Sequence, residues 1–134
     1  MSQIVLDDQL AANEVLAPFR RWFSVRRLQE LRPTELILDD RVPELLLSLR
    51  QPTFVTIDRG FWNRRLCNPK YCVLYFALRD DQQEQLPGLL RELLRVPEFR
   101  TRRERMGKVA RVSTHRVAFW QFRAPRLQYA NFAK

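Results

Sequence analysis

Short apolar runs that stop abruptly at carboxylates recur along the first eighty residues. Gln3-Ile4-Val5-Leu6 is apolar and β-branched and breaks into Asp7-Asp8, the pattern of a buried strand ending in two acids. From Gln9 to Arg20, Leu10, Val15, Leu16 and Phe19 fall at roughly helical spacing, with Asp7 or Asp8 placed to cap the helix. Trp22 to Val25 reads as a second strand, followed by a polar stretch and a short Leu36-Ile37-Leu38 segment before Asp39-Asp40. A helix is predicted over Arg41 to Leu49, with Pro43 in its first turn, where a missing N–H costs nothing. Thr53 to Ile57 is the third strand and ends at Asp58. Tyr71 to Leu78 is the fourth and most apolar, as expected of a strand covered on both faces.

The second half changes character. Gln82 to Arg95 reads as a long helix with Leu86, Leu89, Leu90, Leu93 and Leu94 on one face. Lys108 to Val112 and Arg116 to Phe122 alternate around Ser113-Thr114-His115, which predicts a hairpin at an edge of the sheet. Alternating strands and helices up to residue 95 argue for an α/β fold with a mainly parallel central sheet and right-handed crossovers. At 134 residues the chain is read as one domain, 1–134, with no internal repeat or linker.

Composition narrows the chemistry. With only Gly60, Gly88 and Gly107, neither glycine-rich phosphate loop can be built, which excludes Rossmann dinucleotide enzymes and P-loop NTPases. Two cysteines, Cys67 and Cys72, and one histidine, His115, make Cys/His metal chemistry and Ser-His-Asp or Cys-His catalysis poor fits. No apolar run approaches the about 20 residues of a membrane span. The opening Met-Ser-Gln-Ile lacks a signal peptide's pattern, so a cytoplasmic protein with two ordinary thiols is expected.

The net charge of +9 is carried at one end. Residues 1–94 hold 13 Arg and Lys against 13 Asp and Glu, whereas residues 95–134 hold 11 against 2. Arginine supplies 21 of the 24 basic residues, and its planar fork suits phosphate and base edges. Arg100, Arg102, Arg103, Arg105, Lys108, Arg111 and Arg116, continued by Arg123 and Arg126, are therefore candidate nucleic-acid contacts. The plainer reading is an arginine-rich solvated surface.

In an open parallel sheet, ligands bind outside the carboxyl ends of the strands. Asp7, Asp8 and Asp58 occupy such ends, and Asp40, just before a helix, can reach the same crevice. Converging carboxylates repel one another unless a divalent cation neutralises them, and hard oxygen donors suit Mg²⁺ or Mn²⁺. The ordinary alternative is that each Asp only caps a helix.

These residues resemble the PIN-like nuclease domains, in particular their small stand-alone bacterial branch. That branch opens with a strand ending Leu-Leu-Asp-Glu-Asn-Leu, similar to Leu6-Asp7-Asp8-Gln9-Leu10. Its later Val-Thr-x-Asp-x-Asp-Phe is similar to Val55-Thr56-Ile57-Asp58-Arg59-Gly60-Phe61, and an acidic helix start lies between, matching Asp40 to Glu44. The likeness covers most of residues 3–80. It implies a three-layer Rossmannoid fold with a C-terminal β-hairpin, and a metal-dependent ribonuclease acting on single-stranded RNA. Asp7, Asp8, Asp40 and Asp58 would be catalytic and hold Mg²⁺ or Mn²⁺, Thr56 would position water or phosphate, and Phe61 or Trp62 would stack a base. It also implies the toxin of a toxin–antitoxin pair, with an antitoxin protein as partner. Gly60 stands where the family often has another Asp, and Asp8 is shorter than the usual Glu. These departures motivate an alternative, a non-catalytic nucleic-acid-binding or protein-interaction module. Interaction through the apolar tail Leu127 to Phe132 would give an oligomer such as a homodimer. A response-regulator receiver shares the acids but needs a Ser or Thr after the fourth strand and a Lys ending the fifth. Here Phe76-Ala77-Leu78 occupies the first place, and Lys108 begins its strand.

Overall fold

A computed structural model describes residues 3–8, 10, 20, 25–31 and 39–132. The expected helix over 9–20, apart from residues 10 and 20, the first three residues of the expected second strand and the 36–38 segment lie outside the described residues. The elements are β1 Gln3–Leu6, β2 Val25–Arg27, α1 Leu28–Leu31, α2 Val42–Leu47, β3 Pro52–Thr56, β4 Cys72–Phe76, α3 Leu86–Leu93, α4 Arg102–Arg105, β5 Lys108–Val112, β6 Val117–Gln121 and β7 Gln128–Ala130.

The seven strands form one sheet in the order β2-β1-β3-β4-β5-β6-β7. Neighbours from β2 through β5 are parallel, and β6 and β7 add antiparallel. Because side chains alternate across a strand, each apolar run feeds two cores. Ile4, Leu6, Val55, Leu74, Phe76, Ala110 and Val112 face one way, against the leucines of α3 and Phe99. Val5, Phe54, Val73 and Val109 face the other, against Leu28 of α1, the α2 residues Val42, Leu45 and Leu46, and Phe61. Every residue of β3 and β4 is buried, which is why β4 reads as a continuous apolar run. The chain is thus an α/β protein with a mainly parallel sheet, covered on both faces over β1, β3 and β4. Among the described residues no helix is long and apolar enough to cross a membrane.

Several boundaries move for physical reasons. The helix expected over Gln82 to Arg95 begins as a 3-10 segment, Asp80–Gln85, and becomes α-helical only at Leu86. Pro87 sits in that first turn, where its absent N–H is harmless but can close no α-helical bond back to Gln83. Pro43 acts alike: Asp39–Arg41 is a 3-10 turn, and α2 starts at Val42. The C-terminal hairpin is not simply an edge addition. Its first strand, β5, pairs parallel with β4 and so completes the parallel sheet. The edge is β7, formed from the Leu127 to Phe132 tail that the sequence offered as an oligomer contact.

Gly107 makes the entry to β5 possible. Its φ of +86° lies in the left-handed region, and a Cβ there would stand 2.5 Å from Gln121 Nε2. Its N–H donates to the Tyr71 carbonyl and its carbonyl accepts from Phe122 N–H, so the backbone cannot relax away. Gly107→Ala is expected to cost about 2–4 kcal/mol, read as a lower urea midpoint at unchanged slope.

Candidate carboxylate site

The strand order reverses direction at β1: the chain first places β2 on one side and then β3 on the other. That topology opens a crevice between the carboxyl ends of β1 and β3, the place where doubly wound sheets hold ligands. Asp7 follows β1 and is buried, and its N–H donates to the Val55 carbonyl at 3.0 Å. The buried Thr56 hydroxyl, at the end of β3, donates to Asp7 Oδ2 at 2.7 Å and accepts from Asp58 N–H at 2.9 Å. A single hydroxyl therefore ties the two strand ends and fixes the Asp7 carboxylate. Asp58 caps the 3-10 turn Arg59–Phe61, its Oδ1 accepting from Gly60 N–H at 2.8 Å.

Beside Asp7 and Asp58, the third carboxylate is Asp39, the neighbour of the expected Asp40. Asp39 lies within hydrogen-bonding reach of the Asp58 carboxylate. Partial burial, that hydrogen bond, and the charges of Asp58, Asp7 and Asp40 together push its carboxyl above the usual range. Asp39 and Asp40 are both exposed, and with Pro43, Gly60, Phe61, Asn63 and Leu66 they line a neighbouring cavity of about 270 Å³. The sequence presents Asp39-Asp40 as a doublet. Which member reaches Asp58 depends on the phase of the 3-10 turn ahead of Pro43. Asp8 is half-buried, and its backbone carbonyl accepts from Arg27 at 2.8 Å, anchoring the turn after β1.

Asp39, Asp58 and Asp7 are hard oxygen donors with surplus negative charge, which fits a divalent cation in kind. They are not preassembled. Among the described residues no group of three or more His, Cys, Asp or Glu side chains is gathered closely enough to hold a metal ion.

The aromatic candidates separate. Phe61 is buried edge-on against Phe54, with centroids 5.1 Å apart, so it anchors the loop and is unavailable to a base. Trp62 is half-buried and stacks on Trp120 of β6 at 6.5 Å, with Arg64 4.8 Å above the Trp120 ring. Trp120 escaped the sequence reading because only the β5–β6 register brings it beside the loop.

The basic flank separates too. Arg105 and Lys108, candidates for phosphate contact, are buried. Arg105 Nε donates to Thr53 Oγ1 at 3.0 Å, and its Nη1 donates to the Phe99 and Arg100 carbonyls. Lys108 Nζ donates to the Glu104 carbonyl and lies over Phe99 and Phe119. Burial lowers both cations' pKa values and raises the neighbouring Cys72 thiol to about 12, which leaves that thiol inert. Arg100, Arg102 and Arg103 accompany α4 at the amino-terminal ends of the parallel strands, the end opposite the carboxylates. Arg111, late in β5, and Arg116, just before β6, are exposed at the carboxylate end.

Comparison of the chain with protein-family models, curated proteins and solved structures finds no match.

Crowded acids predict a stability effect. Because the folded pKa of Asp39 lies above its unfolded value, the charged form costs stability at neutral pH, and the cost disappears well below the ordinary 3.8. Asp39→Asn in EDTA should raise the melting temperature at pH 7 by about 1–3 °C, small because the residue is solvent-exposed, and the gain should vanish at pH 3. Differential scanning fluorimetry at the two pH values reads it.

Proposed function

We propose that this chain is a metal-dependent phosphodiesterase of the PIN-like type that cleaves single-stranded RNA. The observation that carries this reading is Thr56, bonded to both the Asp7 carboxylate and the Asp58 N–H at the β1/β3 switch point, with Asp39 within hydrogen-bonding reach of Asp58. Asp7, Asp58 and Asp39 would hold the cation, and Asp8 and Asp40 stand outside that set. A bound Mg²⁺ or Mn²⁺ would supply a nucleophile at neutral pH and neutralise charge developing on the phosphate. The chain's own contributions are positional. Thr56, whose proton is committed to Asp7, orients that carboxylate and, through the Asp58 N–H, the start of the next turn. Gly60 N–H holds the Asp58 side chain toward the crevice, and no further carboxylate follows it in that turn.

The test is incubation of the purified chain with single-stranded RNA and Mn²⁺ or Mg²⁺, with and without EDTA. EDTA-sensitive cleavage that follows the protein through a final sizing column is expected; its absence, or cleavage indifferent to EDTA, defeats the reading. A second reading, a binding module without chemistry, is favoured by one observation: the Asp58 carboxylate already serves as a turn cap in a site with no assembled ligand triad. It predicts RNA affinity with no cleavage in either metal.

A further inference from the structure

The sheet register places one row of residues straight across the strands from the carboxylate crevice. Thr56 of β3 pairs with Tyr75 of β4, Tyr75 with Arg111 of β5, Arg111 with Ala118 of β6, and Ala118 with Tyr129 of β7. All five lie on the face that carries Val5, Phe54, Val73 and Val109, since each is an even number of residues from a member of that face or is paired with one that is. Over β1, β3 and β4 this face is covered. Toward β5–β7 the cover ends: Tyr75 is buried, Arg111 is exposed, Ala118 is half-buried and Tyr129 is 55% exposed.

The uncovered end has a chemistry of its own. Arg116 lies 4.1 Å above the Tyr129 ring, and Arg64 lies over Trp120 one row away. Among the described residues neither these two arginines nor Arg111 forms an ion pair with a carboxylate; the three ion pairs seen involve Arg20, Arg41 and Arg79. Arg64 also donates to the Ala124 carbonyl at 3.4 Å, whereas a guanidinium attracted to a ring face, as that of Arg116 is, retains N–H groups suited to phosphate oxygens. Ala118, between Arg111 and Tyr129, leaves a shallow floor where a flat base can lie. From Thr56 to Tyr129 the row crosses four strand spacings, roughly 19 Å.

We propose that this open face of β5–β7 is a single-strand track, on which unpaired bases stack against Tyr129 while Arg111 and Arg116 hold phosphates. The strand is thereby led across β5–β7 toward the carboxyl ends of β4 and β3, where the cover begins and beyond which the carboxylates lie. The proposal deepens the nuclease reading and rests on it for the destination of the strand, but the track's affinity is measurable without any chemistry. It also relocates the grip from the arginines of α4, at the wrong end of the strands, to those at the carboxylate end.

The experiment is fluorescence anisotropy of a labelled 12-nucleotide single-stranded RNA with the full chain in EDTA, over a salt series. Arg111→Gln/Arg116→Gln should weaken binding and reduce the log–log salt slope by about 1.4, two phosphates at ~0.7 each. Tyr129→Ala should weaken binding roughly tenfold at unchanged slope, and Tyr129→Phe should restore it, because stacking needs the ring and not the hydroxyl. Arg100→Gln/Arg103→Gln, removing the same charge at the opposite end, should change neither, and duplex RNA should compete at least tenfold less well. Circular dichroism melts confirm that each variant is folded. Equal losses in the two double variants, a Tyr129→Ala variant that binds as wild type, or equal competition by duplex would overturn the track. So would no binding at low salt, the result expected if an acidic protein covers this face. Binding with this signature but no metal-dependent cleavage would defeat the nuclease reading alone, while cleavage with binding indifferent to these variants would defeat the track alone.

Discussion

Asp58→Asn is expected to lower metal-dependent cleavage of single-stranded RNA by about 100- to 1,000-fold while leaving the melting temperature within a few degrees of wild type. The substitution isolates charge from structure. Asparagine caps a turn about as well as aspartate, so its side-chain oxygen can still accept from Gly60 N–H. What it cannot supply is the negative charge at the β1/β3 crevice. Asp39→Asn, whose carboxyl lies within hydrogen-bonding reach of Asp58, should show at least a tenfold loss, and Asp40→Asn should remain within about twofold of wild type. Initial rates under single-turnover conditions read all three. If Asp40→Asn were the damaging change and Asp39→Asn the harmless one, the crevice would be built as the family pattern suggests and not as the 3-10 turn places it.

Arg105→Ala is expected to destabilise the fold by about 3–5 kcal/mol. Arg105 is 2% exposed and is the largest fully buried side chain among the described residues. Its guanidinium ties α4 to the start of β3 through Thr53 and to the turn before α4 through two carbonyls. Among the described residues one terminal nitrogen, Nη2, has no hydrogen-bond partner, so the group already bears some uncompensated desolvation. Truncation leaves a cavity and strands Thr53 Oγ1 and the Phe99 carbonyl without their donor. Arg105→Met fills much of the volume and removes the buried cation, so it should recover about half of the loss. Urea denaturation followed by tryptophan fluorescence distinguishes the two. An alanine variant within 1 kcal/mol of wild type would mean that the guanidinium's bonds only offset the cost of burying it.

The sequence pattern reveals the sheet's parallel core well, because an apolar run ending in a carboxylate is a local signal. Ile4 to Leu6 before Asp7, and Phe54 to Thr56 before Asp58, both fall where such runs imply. The harder features depend on relations that local pattern does not carry. Asp39 and Asp40 are adjacent and chemically identical, and only the turn ahead of Pro43 separates their roles. The doublet itself is the signal that should have put both forward. Arg105 and Lys108 add to the flank's charge like any other basic residues. Their position, immediately before a strand that enters the middle of the sheet, is what carries them inside. The row from Thr56 to Tyr129 is set by pairings across strands far apart in the chain, and the tail that forms β7 shows only a short apolar cluster in isolation.

The most direct test is whether the carboxylate crevice binds a divalent cation at all. Titration of the full chain with Mn²⁺, followed by the loss of the free-ion electron paramagnetic resonance signal, measures this without substrate. One Mn²⁺ per chain is expected, with affinity reduced at least tenfold in Asp58→Asn and in Asp7→Asn and unchanged in Asp81→Asn, whose carboxylate pairs with Arg79 on the surface. Stoichiometric binding that survives both crevice substitutions, or no binding at millimolar Mn²⁺, would contradict a metal site at the β1/β3 switch point.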